Sequence, residues 1–512
     1  MDITYKYKKA SDLTDKELKD CTKLYNNNYG TYSANSPTNP NKPVRFTCNM
    51  YRNYYMQKFF YVALAYKKRK LVGHAFYLRR QLTINKKQEK VTFIVQLVVD
   101  KNQRRQGIAK YLMQSIWGFS NDYAWGLITP NIYTVRTLES TTFRKCEPRI
   151  INKNLDNISR IFKDIFFIKR SAIKVNNKSS LVNSKFFVER KLNTKEDYND
   201  KWVLGELPDG YEWLAFTFRE QNIDINKYSQ HFNKIIEFSE DTLKTAYSRM
   251  RLNNHKWAKG EHEEVKYILE KIRLSNCSSI LDMGCGNARH TFEFAKYGHN
   301  VIGIDFSKKH IQHARLQRKK LKIKNVRLYS SDIRTYVTEK KFDLITCLYD
   351  VVGSFPEKKD NLSIIKKAYK LLKDGGYFVI SVMNFELTDK IVPESQKGDL
   401  SQNPSILMHL EPSTEMMSTG NIFKPQYLAI DTNTHLVFRK EQFTSYKNTY
   451  LPAEYVIRDK RYTKDEIERI LTNEGFKIIQ TSFVNAGHFS KNYLSTSPEA
   501  KEILIIAKKG SN

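Results

Sequence analysis

Between Ser278 and Asp305 the chain twice runs from a short apolar stretch to a carboxylate, with a glycine-rich turn in between. The first stretch is Ser278-Ser279-Ile280-Leu281-Asp282-Met283-Gly284-Cys285-Gly286-Asn287-Ala288, a strand entering a turn, followed by a helix from near Arg289 that carries Phe292, Phe294 and Ala295. Glycine at such a turn lets the backbone approach a nucleotide-like ligand, because no Cβ stands in the way. The second stretch, Asn300 to Asp305, ends 19 residues after Gly286, where a carboxylate can accept both hydroxyls of a ribose. Val326 to Asp332 and Phe342 to Asp350 read as a third and a fourth strand. A helix from Ile364 to Leu372 stops at Lys373-Asp374-Gly375-Gly376, and a fifth strand, Tyr377 to Val382, follows. This alternation predicts an α/β domain with a doubly wound parallel sheet, its ligand edge at the strand C-termini.

The stretch from about Leu252 onward resembles class I S-adenosylmethionine-dependent methyltransferases, over residues 251–512. The resemblance implies that Asp282, Gly284, Cys285 and Gly286 form the first cofactor motif, that Asp305 holds the ribose, and that Asp332 and Ile333 lie beside the adenine. Ala288 stands where the family often has a third glycine. A nicotinamide-binding sheet is the structural rival, but the acid ahead of Gly284 follows the methyltransferase pattern. Leu348-Tyr349-Asp350-Val351 matches neither the Asn/Asp-Pro-Pro-aromatic motif of nucleic-acid amino-methyltransferases nor the Pro-Cys nucleophile of C5-cytosine enzymes, which disfavours a standard DNA base methyltransferase. Tyr349 and Asp350 are the candidate catalytic residues of the acceptor pocket; Asp350 either orients or deprotonates an amine or hydroxyl, or caps the next segment. Residues 384–455 read as a lid-like insertion with strands at Val437–Phe443 and Tyr455–Arg461, followed by an amphipathic helix starting at Tyr462. His409, Glu411 and His488 are either polar groups of that lid or ordinary surface residues.

In the first half, the β-branched run Phe93 to Asp100 leads through Lys101-Asn102-Gln103-Arg104-Arg105-Gln106-Gly107-Ile108-Ala109 into a helix from Lys110 to Trp117. A basic, glycine-containing turn at a helix N-terminus suits a pyrophosphate, through free N–H groups and the positive dipole end. A hairpin, Tyr61–Tyr66 with Lys70–Arg79, precedes it; a strand, Ala124–Thr129, and a helix, Tyr133–Phe143, follow. Residues 1–150 resemble GNAT acyltransferases, a mixed-sheet fold. That likeness implies acetyl-coenzyme A or a related acyl-coenzyme A held by Val99, Arg104, Arg105, Gln106, Gly107, Ile108 and Ala109. Many family members place a tyrosine acid seven residues after the Asn opening the fourth helix; from Asn131 that position is Leu138, and Tyr133 is the nearest substitute. The central strand carries Val95 and Gln96 rather than a carboxylate base. Transfer to an already neutral amine can proceed by positioning, and a binding module without chemistry is the alternative.

The formal charge is +32, and residues 1–200, with 38 Lys and Arg against 16 Asp and Glu, hold +22 of it. Such a field draws polyanions, so a nucleic-acid partner is expected, RNA before DNA. Six scattered cysteines, 21, 48, 146, 277, 285 and 347, show no C-x-x-C pair and read as small buried residues, so no metal site is expected. The start lacks a signal-peptide core and no run of about 18 apolar residues occurs, which points to a cytoplasmic protein without a membrane partner. Residues 151–250 form a basic and aromatic extension and linker: the run Gly210 to Arg219 reads as sheet core or as a stacking surface, and Lys234–Arg251 as a polar helix. The whole reads as a bifunctional transferase acting on tRNA or another RNA, with tailoring of a small metabolite as the alternative.

Overall fold

The computed structural model describes residues 3–168, 172–189, 202–230, 232, 247, 259–355, 357–413, 422–442 and 454–510. It divides into two compact units, Met1–Phe232 with Gln442–Tyr455, and Asn233–Glu441 with Val456–Asn512. Among the described residues no helix is long and apolar enough to cross a membrane.

In the first unit β1 (Ile3–Lys9), β2 (Phe60–Lys67), β3 (Lys70–Ile84), β4 (Lys87–Val99), β5 (Ala124–Thr129), β6 (Ile173–Val175), β7 (Ser180–Asn183) and β8 (Tyr211–Phe218) form one sheet, in the order β1-β2-β3-β4-β5-β8-β7-β6. The long β3–β4 hairpin turns on Asn85 and Lys86, both at positive φ (49° and 64°), the pairing that a two-residue turn needs to match strand twist. Only β4 and β5 run parallel, and parallel neighbours need a crossover, here the helix Ile108–Trp117. Their pairing covers Val91–Ile94 of β4 and Ala124–Leu127 of β5. In the β3–β4 register Phe76 faces Gln96 and Tyr77 faces Ile94, which leaves Val95 as a bulge. Beyond it β4 and β5 no longer pair, and a cleft opens between them.

The aromatic run is β8, a buried strand beside β5, so its rings are sheet core rather than a stacking surface. Phe216 faces Gly126 across this pair and occupies the space above it: a Cβ on Gly126 would lie 2.3 Å from the ring. The helix expected over Lys234–Arg251 lies outside the described residues apart from Tyr247.

In the second unit β9 (Ser279–Met283), β10 (Asn300–Asp305), β11 (Val326–Ser330), β12 (Phe342–Cys347) and β13 (Leu372–Met383) are parallel. The insertion builds a small sheet of its own, β14 (Lys397–Gly398), β15 (Pro412–Ser413), β16 (Leu428–Asp431) and β17 (Leu436–Gln442), with β18 (Glu454–Lys460) beside β17. The main sheet is completed by β19 (Phe476–Val484) and β20 (Glu502–Lys509), in the order β11-β10-β9-β12-β13-β20-β19. Strand order reverses between β9 and β12, the switch point at which open α/β sheets bind ligands. The five strands read from the sequence are parallel as expected, and the sheet is extended by β20, which is antiparallel to both β13 and β19. No helix lies between β19 and β20, so the chain returns in the opposite direction.

Alternate residues of each central strand face opposite sides. Leu281, Ile345, Ile380 and Ile505 pack with the helices Lys358–Leu371 and Lys464–Asn473, whereas Ile280, Leu344, Val379 and Leu504 pack with Glu261–Lys271 and Arg289–Lys296. Cys21, Cys146, Cys285 and Cys347 are buried as expected, Cys48 is half-buried, and Cys277 is exposed because it sits in the left-handed turn before β9.

Gly126→Ala forces the Phe216 ring aside and is expected to cost about 1–3 kcal/mol of stability by overpacking. Urea denaturation of the variant checks this, with Phe216→Leu in the same chain restoring part of the loss.

Candidate active sites

The cleft between β4 and β5 has a volume of about 1150 Å³. Val99, Arg104, Arg105, Gly107, Ile108 and Ala109 line it; Gln106 does not. Gly107 starts the helix Ile108–Trp117 at φ 80°, and a Cβ there would meet the Tyr111 ring at 2.9 Å, so the turn stays bare backbone. The Arg104 guanidinium bonds the carbonyls of Asn28 at 2.5 Å and Val99 at 3.3 Å, tying the two walls together. Tyr133 lines the cleft and is 44% exposed, while Leu138 is buried in the core.

In the second unit Gly284, Gly286 and Ala288 all take left-handed backbone, at φ 77°, 53° and 65°. Ala288 thus adopts a glycine conformation, on the order of 1–2 kcal/mol less favourable for a residue with a side chain. A Cβ on Gly284 would lie 2.3 Å from Val351, so this turn too is bare. Asp305 accepts the N–H of Gly286 at 2.9 Å and of Ser307 at 2.7 Å; burial outweighs these bonds and pushes its pKa up to about 6. Both oxygens of buried Asp282 accept hydroxyls, from Thr291 at 2.6 Å and Thr346 at 3.1 Å, which braces the turn against β12. Cys285 is buried, and burial pushes its thiol pKa well up. Asp332 accepts three hydrogen bonds from the Arg334 guanidinium, at 3.1, 3.3 and 2.7 Å, and Ile333 is buried.

At the tip of β12 Tyr349 and Asp350 are both left-handed, at φ 62° and 63°. The Tyr349 N–H donates to Ser381 Oγ at 2.8 Å, and its hydroxyl donates to Glu264. Asp350 Oδ1 is buried without a hydrogen-bond partner. Burial raises the Asp350 pKa well above the carboxylate range, and Asp459 raises it further against the opposing charges of Arg461 and Arg439.

Residues 24–123 match the family model "Acetyltransferase (GNAT) family", and residues 274–475 match "Methyltransferase domain". The chain joins a GNAT domain to a methyltransferase domain. The methyltransferase domain is similar to a ubiquinone biosynthesis O-methyltransferase of Hydrogenovibrio crunogenus, 35% identical over 121 residues, 23% of this chain and 48% of that protein. It is also similar to the protein of that description from Vibrio cholerae, 26% identical over 170 residues, 30% of this chain and 68% of that one. The chain thus spans about half to two thirds of the curated relatives it matches. A solved S-adenosylmethionine-dependent methyltransferase from Clostridium acetobutylicum aligns at TM-score 0.36 and 16% identity, over 53% of this chain and 99% of that one.

Within the methyltransferase domain the glycine turn, Asp305 and the β12 tip gather at one edge of the sheet, whereas His409, Glu411 and His488 are exposed. The sequence reading missed Glu264. This buried residue of the helix Glu261–Lys271 accepts from Tyr349, from Gly487 N–H at 2.5 Å and from Arg289 at 3.3 Å, and it pairs with His290 Nε2 at 2.6 Å. The Arg289 guanidinium lies 4.3 Å from the centre of the Tyr349 ring. A charged residue on the same helical face as Val265 and Ile268 was the available signal. In the GNAT domain the missed group is Gln96 with Tyr51 and His74, residues distant in sequence that the sheet and the helix Cys48–Tyr55 bring together.

Burial would raise the Glu264 pKa, but the His290 hydrogen bond, its charge and that of Arg289, and the Tyr349 hydrogen bond outweigh it and bring the pKa down to about 2, from 4.5. A lowered carboxylate pKa contributes stability that is complete above 4.5 and is lost as pH falls through 2. Glu264→Gln is expected to cost about 3 kcal/mol at pH 7 and distinctly less at pH 2–3, measured by urea denaturation at both.

Proposed function

We propose that the chain is a bifunctional transferase that moves a methyl group from S-adenosylmethionine in one unit and an acyl group from acetyl-coenzyme A or a related thioester in the other. The observation that carries the methyl half is the bare left-handed turn at Gly284 and Gly286 after β9, facing the Asp305 carboxylate at the end of the neighbouring β10, beside the switch point of the sheet. A nucleoside fits this donor set, with Asp305 accepting ribose hydroxyls, Gly284, Cys285 and Gly286 approaching as backbone, and Asp332 and Ile333 beside the base. S-adenosylmethionine supplies a methyl carbon made electrophilic by its sulfonium. Tyr349 shapes the acceptor side, and Asp350, its carboxyl kept basic by burial, takes or orients a proton on the attacking atom. In the GNAT domain the turn Arg104–Ala109 holds the pyrophosphate through backbone N–H groups at the helix N-terminus.

The acceptor we favour is RNA, on the +22 carried by residues 1–200. A small metabolite is the second reading, favoured by the likeness to proteins described as ubiquinone biosynthesis O-methyltransferases. Incubating the chain with methyl-labelled S-adenosylmethionine and, separately, total RNA, DNA and small-molecule extract decides between them. Label in RNA lost at high salt supports the first reading, and label only in the small-molecule fraction supports the second.

Two measurements test the residues. Asp305 must be ionised to accept two hydroxyls, so S-adenosylmethionine affinity is expected to be flat above pH 7 and to fall below about pH 6, read by calorimetry. Asp350→Asn is expected to cut methyl turnover at least about tenfold while leaving that affinity unchanged; equal turnover removes Asp350 from the mechanism.

A further inference from the structure

Gln96 lies on β4 one residue past the bulge, is buried, and lines the cleft. Its Oε1 accepts the Tyr51 hydroxyl at 2.6 Å and stands 2.8 Å from His74 Nε2. Tyr51 and His74 are buried as well, and burial drives the His74 pKa down to about 4. The ring is therefore neutral at pH 7 and donates through Nε2–H. Two donors saturate the oxygen and fix the amide in one orientation, with its NH₂ group left for the cleft. Among the described residues no protein group accepts from that NH₂.

The remaining charges of the cleft leave little to take up a proton. Arg45, Lys101, Arg104, Arg105 and Lys110 are cations, and Tyr29 is pushed far up by burial. Glu189 is the one carboxylate among the described lining residues; it is exposed, and its N–H bonds Thr31.

We propose that Gln96 serves the acyl transfer as a fixed hydrogen-bond donor instead of a base, and that the cleft acylates a nitrogen that is uncharged at neutral pH, such as an aromatic or nucleobase amine. This rests on the acyltransferase reading above. The nitrogen lone pair forms the new N–C bond at the thioester carbonyl, and the C–S bond breaks. Sulfur leaves as the coenzyme A thiolate, and the proton shed by nitrogen ends on that thiolate. The Gln96 amide donates to the carbonyl oxygen as it gathers negative charge. An alkylammonium has no lone pair, and the cleft-lining part of β4, Ile94–Val99, offers no base to uncover one.

The test uses the full chain with acetyl-coenzyme A. Binding is measured first by calorimetry; no binding fails the acyltransferase reading itself. Thiol release is then followed with hydroxylamine, uncharged at pH 7, and with ethylamine, protonated at pH 7, each corrected for the uncatalysed rate. Hydroxylamine is expected to be the faster at pH 7, and the ethylamine rate to climb about tenfold per pH unit from 7 to 9. Gln96→Glu is expected to raise the ethylamine rate at pH 7 and flatten its profile. Gln96→Leu lowers kcat with hydroxylamine without changing acetyl-coenzyme A affinity. An ethylamine rate that is flat with pH in the natural chain, its loss in Glu189→Gln, or binding without transfer to hydroxylamine overturns the proposal; the first and last of these need no variant to fold.

Discussion

The candidate methyl-transfer site depends on one buried carboxylate with four partners. Glu264 is fully buried, and a charge there is tolerable only because Tyr349, His290, Arg289 and the Gly487 N–H all converge on it. Those partners come from the tip of β12, from the helix after the glycine turn, and from the loop after β19. The carboxylate therefore fixes the position of three separate segments at the sheet edge. It also holds Tyr349 in a left-handed backbone that a tyrosine would not otherwise keep, with Ser381 anchoring the same residue's N–H.

The two units meet a similar demand in different ways. Each needs bare backbone at the mouth of a strand-to-helix turn, and each obtains it with a left-handed glycine whose added Cβ would strike a neighbour: Gly284 against Val351, and Gly107 against Tyr111. They differ in the polar group they place at the strand. The methyltransferase domain places a carboxyl, Asp350, at the strand tip and shields it until its pKa rises. The GNAT domain places an amide, Gln96, at the centre of its sheet and ties its oxygen back to Tyr51 and His74. A carboxyl can accept a proton, whereas an amide so held can only donate.

Strand ends, glycine turns and the order of elements were legible in the sequence because they are local. Apolar runs closed by Asp282, Asp305 and Asp332, and the turn at Gly107, follow from periodicity and backbone freedom within a few residues. These positions set the fold class and where the bare glycine turns lie. The tertiary structure alone decided what depends on contacts between distant segments. Glu264 became the hub of a site some 85 residues away in sequence, at Tyr349. The β5–β8 pairing drew an aromatic run into the first sheet. The β20 strand is antiparallel to its neighbours, and Asp350 Oδ1 is cut off from solvent, which takes the carboxyl out of its usual acidity. Burial and long-range hydrogen bonding set these outcomes, and neither is a property of a residue's neighbours in the chain.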